Sequence, residues 1–195
     1  IIDVGANVGQ FAKKIASACP KATIFSFEPN PSLHLSFETN LKRFKNVQLH
    51  KSGVGAVAEK LYLSVDERNT LVSSFSYDHS RQSVLCDVTT IDTFLQKKKI
   101  SKVGLLKVDV EGFELEVLKD CKKSLKNGVI DAVILEATFT PKKIKSADAI
   151  ELIDFMFNHG YRPQGFYDLD YAHITARGVF KLGNLLFIKK NSKHL

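Results

Sequence analysis

No apolar run in this chain reaches the roughly eighteen residues that a membrane-spanning helix requires, so no helical span is expected. The six histidines never fall at a metal-ligand spacing. The three cysteines, Cys19, Cys86 and Cys121, are odd in number, far apart and without a C-x-x-C. That usage argues for buried, small apolar side chains in a reducing, cytoplasmic setting rather than for a disulfide framework. Internal repeats and low-complexity tracts are missing as well. Aromatic residues are not interleaved with the lysines, so a stacking platform for single-stranded nucleic acid is not indicated.

What is present suffices for one domain: 195 residues with 44% hydrophobic content can bury a real core and are rather few for two. The net charge of +7 comes from 28 Lys and Arg against 21 Asp and Glu. It concentrates at Lys97-Lys98-Lys99-Lys102, Lys119-Lys122-Lys123-Lys126 and Lys142-Lys143-Lys145. These clusters read as solvated helix faces, with attraction of a phosphorylated or nucleic-acid partner as the alternative. Residue 1 opens inside a strand pattern rather than a signal peptide, and helices that often cover the substrate mouth of such folds are expected to be missing from the start.

The chain is organised around its first stretch, Ile1-Ile2-Asp3-Val4-Gly5-Ala6-Asn7-Val8-Gly9-Gln10-Phe11. A short apolar run, a glycine turn and a helix-period pattern read as strand, ligand loop, helix. Gly5 and Gly9 would let the backbone approach a ligand, and Asp3 puts a carboxylate near the strand's carboxyl end, where open α/β sheets bind ligands. A dinucleotide fingerprint counted from Gly5 would need glycines at Asn7 and Gln10. A P-loop would need glycine and lysine at Gln10 and Phe11. The remaining pattern, D-x-G-x-x-x-G, resembles the first motif of S-adenosylmethionine-dependent methyltransferases of the Rossmann-like class, with a purely structural strand-to-helix turn as the alternative.

A second strand, Thr23 to Phe27, ends in Glu28-Pro29-Asn30-Pro31. Glu28 stands about where the acidic residue of a nucleotide-binding βαβ unit meets the ribose hydroxyls, with an exposed strand-end glutamate as the alternative. Ser32 is expected to cap the next helix, and Val47 to His50 to form a third strand. The loop Lys51-Ser52-Gly53-Val54-Gly55 should then lie beside an adenine. The polar stretch Asp66–Arg81 interrupts the βαβ rhythm. It reads as a substrate-side loop whose Ser73, Ser74, Phe75, Tyr77 and His79 could line the substrate mouth, or as a merely solvated loop.

A second chemical centre follows. Gly104 to Val110 is a near-continuous apolar strand of the kind buried in a parallel sheet, yet it carries Lys107 and Asp109 and runs into Glu111-Gly112-Phe113-Glu114. Charges there are costly unless paired or used, so a structural Lys–Asp pair and a functional site both remain open. Val129 to Glu136 is another buried strand ending in a carboxylate. The helix Ala147–Asn158 is expected to face Ile150, Ile153 and Phe157 inward, with Gly160-Tyr161-Arg162-Pro163 breaking it. Two late strands forming a hairpin around Asp168–Arg177 would give an antiparallel edge.

Together, D-V-G-A-N-V-G-Q, F-E-P-N-P, T-I-D-T-F-L, L-L-K-V-D-V-E-G-F-E-L-E-V-L-K and V-I-L-E resemble the FkbM family of S-adenosylmethionine-dependent methyltransferases. The similarity runs in register over residues 1 to about 140. It implies an α/β, Rossmann-like class I methyltransferase fold: a mostly parallel seven-stranded sheet with an antiparallel late strand and helices on both faces. It further implies S-adenosylmethionine held by Asp3, Gly5, Ala6, Asn7 and Gly9, with Glu28, Pro29, Asn30, Ser52 and Asp109 completing the site. Methyl transfer would go to an oxygen of a small-molecule or glycan acceptor. Lys119-Asp120 departs from the family's usual Lys-Gly, which touches packing only.

Asp109 and Glu111 are the carboxylates best placed to take the acceptor's proton. With Glu136 they could instead share a divalent metal ion. A base-amino methyltransferase would place an N-P-P-Y type sequence where Asp109-Val110-Glu111-Gly112 stands, and a cytosine-carbon methyltransferase would need Pro-Cys where the chain has only Cys19-Pro20. Nucleic acid is therefore an unlikely partner. A non-catalytic cofactor-binding module of the same fold is the competing function.

Overall fold

The computed structural model describes residues 1–65, 73–76, 83–139, 147–171 and 180–190. In chain order the elements are β1 (Ile2–Val4), α1 (Gln10–Ala18), β2 (Ile24–Phe27), α2 (Pro31–Leu41), β3 (Val47–His50), β4 (Gly53–Val54), β5 (Glu59–Val65), β6 (Ser73–Ser76), β7 (Ser83–Thr89), α3 (Ile91–Lys98), β8 (Val103–Val108), α4 (Glu114–Asp120), α5 (Lys122–Lys126), β9 (Ile130–Thr138), α6 (Ala149–Asn158), β10 (Tyr161–Tyr171) and β11 (Phe180–Lys189).

Among the described residues, seven strands form one sheet in the order β10-β11-β9-β8-β1-β2-β3, parallel except that β11 runs against both neighbours. Apolar alternation decides its faces. Ile2, Val4, Phe27, Leu106, Val108, Val133, Leu135, Leu185 and Phe187 point into one core, shared with Phe94 of α3, Leu118 of α4, Leu125 of α5 and Leu152 and Met156 of α6. Ile24 on the opposite face packs with Ala12 and Ala16 of α1 and Phe37 and Leu41 of α2. The expected class I arrangement, with its single antiparallel strand and helices on both faces, is the one the chain adopts.

The late hairpin gives the expected antiparallel edge, with β11 inserted between β9 and β10: its inward residues Leu185 and Phe187 are fully buried, whereas Arg162 and Pro163 of β10 are exposed. A proline lacks the N–H that an interior strand must donate, so the edge suits β10. Several local expectations change. The stretch read as a loop contains β6, which pairs antiparallel with β5 in a second sheet of order β4-β7-β5-β6. Tyr77 and His79 lie outside the described residues. In α6 the buried residues are Ala149, Leu152 and Met156, while Ile150 is 77% exposed. Ile153 packs against the core as expected, but the exposed polar stripe Glu151, Asp154 and Asn158 sets the opposite face, Ala149, Leu152 and Met156, inward. Asn30, not Ser32, caps α2, its side-chain oxygen accepting from the Ser32 N–H at 3.0 Å. Cys86 and Cys121 are buried as expected, but Cys19 is exposed.

Candidate active site

The loop after β1 is drawn against the sheet by backbone bonds: the N–H groups of Gly5 and Ala6 both donate to the Phe27 carbonyl, at 3.1 and 3.0 Å. Gly5 sits at φ 78°, and a Cβ there would stand 1.7 Å from the Asp109 carbonyl oxygen. Only glycine lets the ends of β1 and β8 pass so closely. Gly9, at φ 82°, serves a different contact. A Cβ would lie 2.5 Å from Leu41 and 2.9 Å from Phe37, so this glycine lets α1 pack against α2 rather than admitting a ligand.

Glu28, at the end of β2, is 94% removed from solvent. One carboxylate oxygen accepts the Asn7 N–H at 2.8 Å and the other accepts the Asn30 N–H at 2.8 Å. Asn7 itself turns at φ 50°, with its side-chain oxygen accepting the Val8 N–H. Burial pushes the Glu28 carboxyl above its ordinary range, opposed by those two N–H bonds. Glu28 thus fastens the loop and faces the cavity at once, and each oxygen keeps a second lone pair for a ligand hydroxyl.

The second centre assembles from three strands. Lys107 of β8 is buried, 3.0 Å from an Asp109 carboxylate oxygen and 3.7 Å from one of Asp3. Burial works against the ammonium's charge, but Asp3 and Asp109 outweigh it and hold the Lys107 charge more firmly than usual. Asp3 is fully buried, accepts from the Ser26 hydroxyl at 3.3 Å, and has its carboxyl pushed up by burial against the pull of Lys107. Single carboxylate oxygens of Asp109, Glu111 and Glu136 lie within 4.8 Å of one another. That spacing suits a shared proton or a divalent cation. Burial first, then the charges of Asp109 and Glu111, push the Glu136 carboxyl up to about 8. Glu111 is likewise raised, by burial and Asp109, and its backbone is left-handed at φ 53°. The fully buried Glu114 holds this turn in place, one oxygen accepting the N–H groups of Val110 and Gly112 at 3.0 and 3.2 Å.

Both centres open onto one cavity of about 630 Å³ at the carboxyl ends of the parallel strands. Of the residues expected at the site, Gly5, Ala6, Asn7, Glu28, Pro29, Asp109 and Glu111 line it. Asp3, Gly9, Asn30 and Ser52 do not. Asp3 is spent on Lys107 and Ser26, Gly9 on helix packing and Asn30 on capping α2, while Ser52 yields its place to Gly53 and Val54. The wall also includes Phe11 and Lys14 of α1, Glu136, and Tyr167, Asp168 and Asn184 of the late hairpin. Glu136 was legible as the carboxylate closing a buried apolar run, although the strand continues past it to Thr138. The hairpin residues were not, although a polar Asn184 opening an apolar run was a faint signal.

The sheet order and the cavity at its strand ends define the class: this is a class I methyltransferase fold. The Synechocystis magnesium protoporphyrin IX methyltransferase, solved with bound S-adenosylmethionine, superposes with a TM-score of 0.54 at 10% identity, over 97% of this chain and 69% of that one. Residues 3–163 match the methyltransferase FkbM domain, and the chain belongs to that family. It is similar to Methyltransferase 1 of Beauveria bassiana, 29% identical over 141 residues, covering 61% of this chain and 57% of the relative. It is also similar to the hexuronic acid methyltransferase AglP of Haloferax volcanii, 27% identical over 144 residues, covering 73% and 58%. The chain therefore spans a little under three fifths of the length of these relatives. No helix among the described residues is long and apolar enough to cross a membrane.

Proposed function

We propose that this domain binds S-adenosylmethionine in the cavity and methylates a hydroxyl oxygen of a small-molecule or glycan acceptor. The observation that carries the reading is the meeting, in one cavity, of the Glu28-fastened loop with the Asp109, Glu111 and Glu136 carboxylates. Family membership and the hexuronic acid named for the Haloferax relative support it. The residues fit the cofactor: Glu28 offers two acceptor oxygens to ribose hydroxyls, and Phe27, Val54 and Leu63 supply apolar wall for an adenine.

The bound cofactor supplies an already activated methyl group. The chain's task is to orient the acceptor and remove its proton as the oxygen attacks. Asp109 and Glu111 stand at the end of β8 for that purpose, with Lys107 fixing Asp109 from below. A carboxyl near 8, as at Glu136, can pass a proton onward close to neutral pH.

The test is kcat together with the S-adenosylhomocysteine Kd for Asp109→Asn and Glu111→Gln, with and without chelator. A base role lowers kcat by about 10²–10⁴ and leaves Kd nearly unchanged. Activity lost to chelator and restored by magnesium or manganese would instead assign the trio to a cation. Cofactor binding without turnover across a broad acceptor panel would reduce the domain to a binding module.

A further inference from the structure

We infer, on the reading that Asp109 and Glu111 take the acceptor's proton, that Glu114 is a positioning residue for methyl transfer: it ties the turn carrying Glu111 to the end of β9 and so sets Glu111 against Glu136. Glu114 is fully buried at the first position of α4 and forms no part of the cavity wall. Its influence on the reaction therefore runs through the groups it holds.

The sheet itself does not fix the separation of these carboxylates. The β8–β9 ladder ends at Val108 opposite Leu135, one residue short of Asp109 and Glu136. Beyond that point the two strands follow different neighbours. Asp109 leans toward β1, its N–H donating to the Val4 carbonyl at 3.1 Å, whereas β9 continues against β11 as far as Thr138 opposite Leu182. Glu111 has left the sheet and stands in a left-handed turn at φ 53°, followed by Gly112 at φ 100°. Carboxylates whose oxygens lie within 4.8 Å of one another repel when charged, so the turn and the strand end tend to spread unless something spans the gap.

Glu114 spans it. One oxygen accepts the N–H groups of Val110 and Gly112, on either side of Glu111, at 3.0 and 3.2 Å. The other accepts the Ala147 N–H at 3.3 Å, and the Ala147 carbonyl accepts the Thr138 N–H at 2.9 Å, just past Glu136 in β9. Starting a helix requires the first of these contacts alone, because one side-chain oxygen satisfies the local donors. The second reaches 33 residues along the chain. Burial pushes the Glu114 carboxyl above its ordinary range, opposed by the N–H bonds it accepts. A buried acid is a costly fastener for a helix start, and what it adds here is the link between two elements.

The test uses the whole chain, with S-adenosylhomocysteine for calorimetry and labelled S-adenosylmethionine for turnover on a broad panel of hydroxylated acceptors, methyl β-D-glucuronopyranoside and catechol among them. No turnover by the parent on that panel refutes the methyl-transfer reading, and the positioning role falls with it. In Glu114→Gln the amide oxygen can still accept from Val110 and Gly112, while the NH2 group faces the Ala147 N–H and the link to β9 is broken. That variant should lower kcat by about 10- to 100-fold, the scale of a displacement of about 1 Å, with acceptor KM and S-adenosylhomocysteine Kd within about twofold of the parent. Ala147→Pro removes the same N–H from the other side and should do likewise, which keeps the link testable even where Glu114→Gln is unstable. Combined with Glu111→Gln, Glu114→Gln should slow turnover no further than Glu111→Gln does alone, since a residue acting through Glu111 then has nothing left to position. Tyr161→Phe gives up a buried hydrogen bond to the Ile130 carbonyl, away from the cavity, and should lose stability with kcat unchanged. Parental kcat in Glu114→Gln, a loss that multiplies with that of Glu111→Gln, or an equal loss in Tyr161→Phe would overturn the inference while leaving cofactor binding intact.

Discussion

Replacing Glu28 by alanine separates the two duties of this side chain. The carboxylate is 6% exposed and accepts two backbone N–H groups, from Asn7 and Asn30. Leaving a buried donor unsatisfied costs about 1–3 kcal/mol, so two such losses span about 2–6 kcal/mol. The upper half of that range is not expected. Burial already pushes this carboxyl above its ordinary range, and alanine relieves the cost of a desolvated charge. A net loss of about 2–3 kcal/mol in urea unfolding of the cofactor-free protein follows. Cofactor affinity should fall by a further 1.5–3 kcal/mol, about ten- to a hundredfold in the S-adenosylhomocysteine Kd by calorimetry. Glu28→Gln keeps the shape but turns an amide donor toward one of the two N–H groups, so it too should lose stability. An alanine variant as stable as the parent would show that the loop does not depend on Glu28. Unchanged cofactor affinity in that folded variant would remove Glu28 from the binding site.

Three further perturbations test the same geometry. Glu136 has a folded pKa near 8, raised from 4.5, so its contribution to stability is full below about pH 4.5 and is lost as pH rises through 8. Glu136→Gln should therefore gain on the parent by about 4 kcal/mol between pH 5 and pH 9, and parallel urea midpoints at both pH values would refute the buried-trio account. Lys107→Met breaks the contacts to Asp109 and Asp3, leaving buried charge uncompensated at a cost of about 3–5 kcal/mol. Adding Asp3→Asn should restore part of it, and a single variant of parental stability would deny the pair its role. Gly9→Ala meets Leu41 and Phe37 inside 3.0 Å and strains a left-handed backbone, so a loss of about 1–3 kcal/mol is expected, with little effect on cofactor affinity once folded. A large affinity loss with unchanged stability would return Gly9 to the ligand.

The local order of the chain was written in the sequence. Buried parallel strands announce themselves as continuous apolar runs, and the residues that end them, Val4, Phe27 and Val108, mark where a ligand loop must begin. The positions of Glu28 and Asp109 at those ends were legible for the same reason, whereas Glu136 sits two residues before the end of β9. Spacing could not say how such residues share their hydrogen bonds. Asp3 and Asn30 look like ligands in one dimension, but in the fold Asp3 meets Lys107, a partner far away in sequence, and Asn30 caps the helix that starts beside it. Gly5 and Gly9 look alike in the motif. One admits the Asp109 carbonyl and the other a second helix, a difference set by which elements the fold lays across them. The late hairpin was legible, but its place in the cavity wall was not: that depends on β11 inserting between β9 and β10 and on a one-residue bulge at Asp168. Register across strands joins Tyr167, Asn184 and Glu136, and register is a property of packed, hydrogen-bonded neighbours rather than of any single strand.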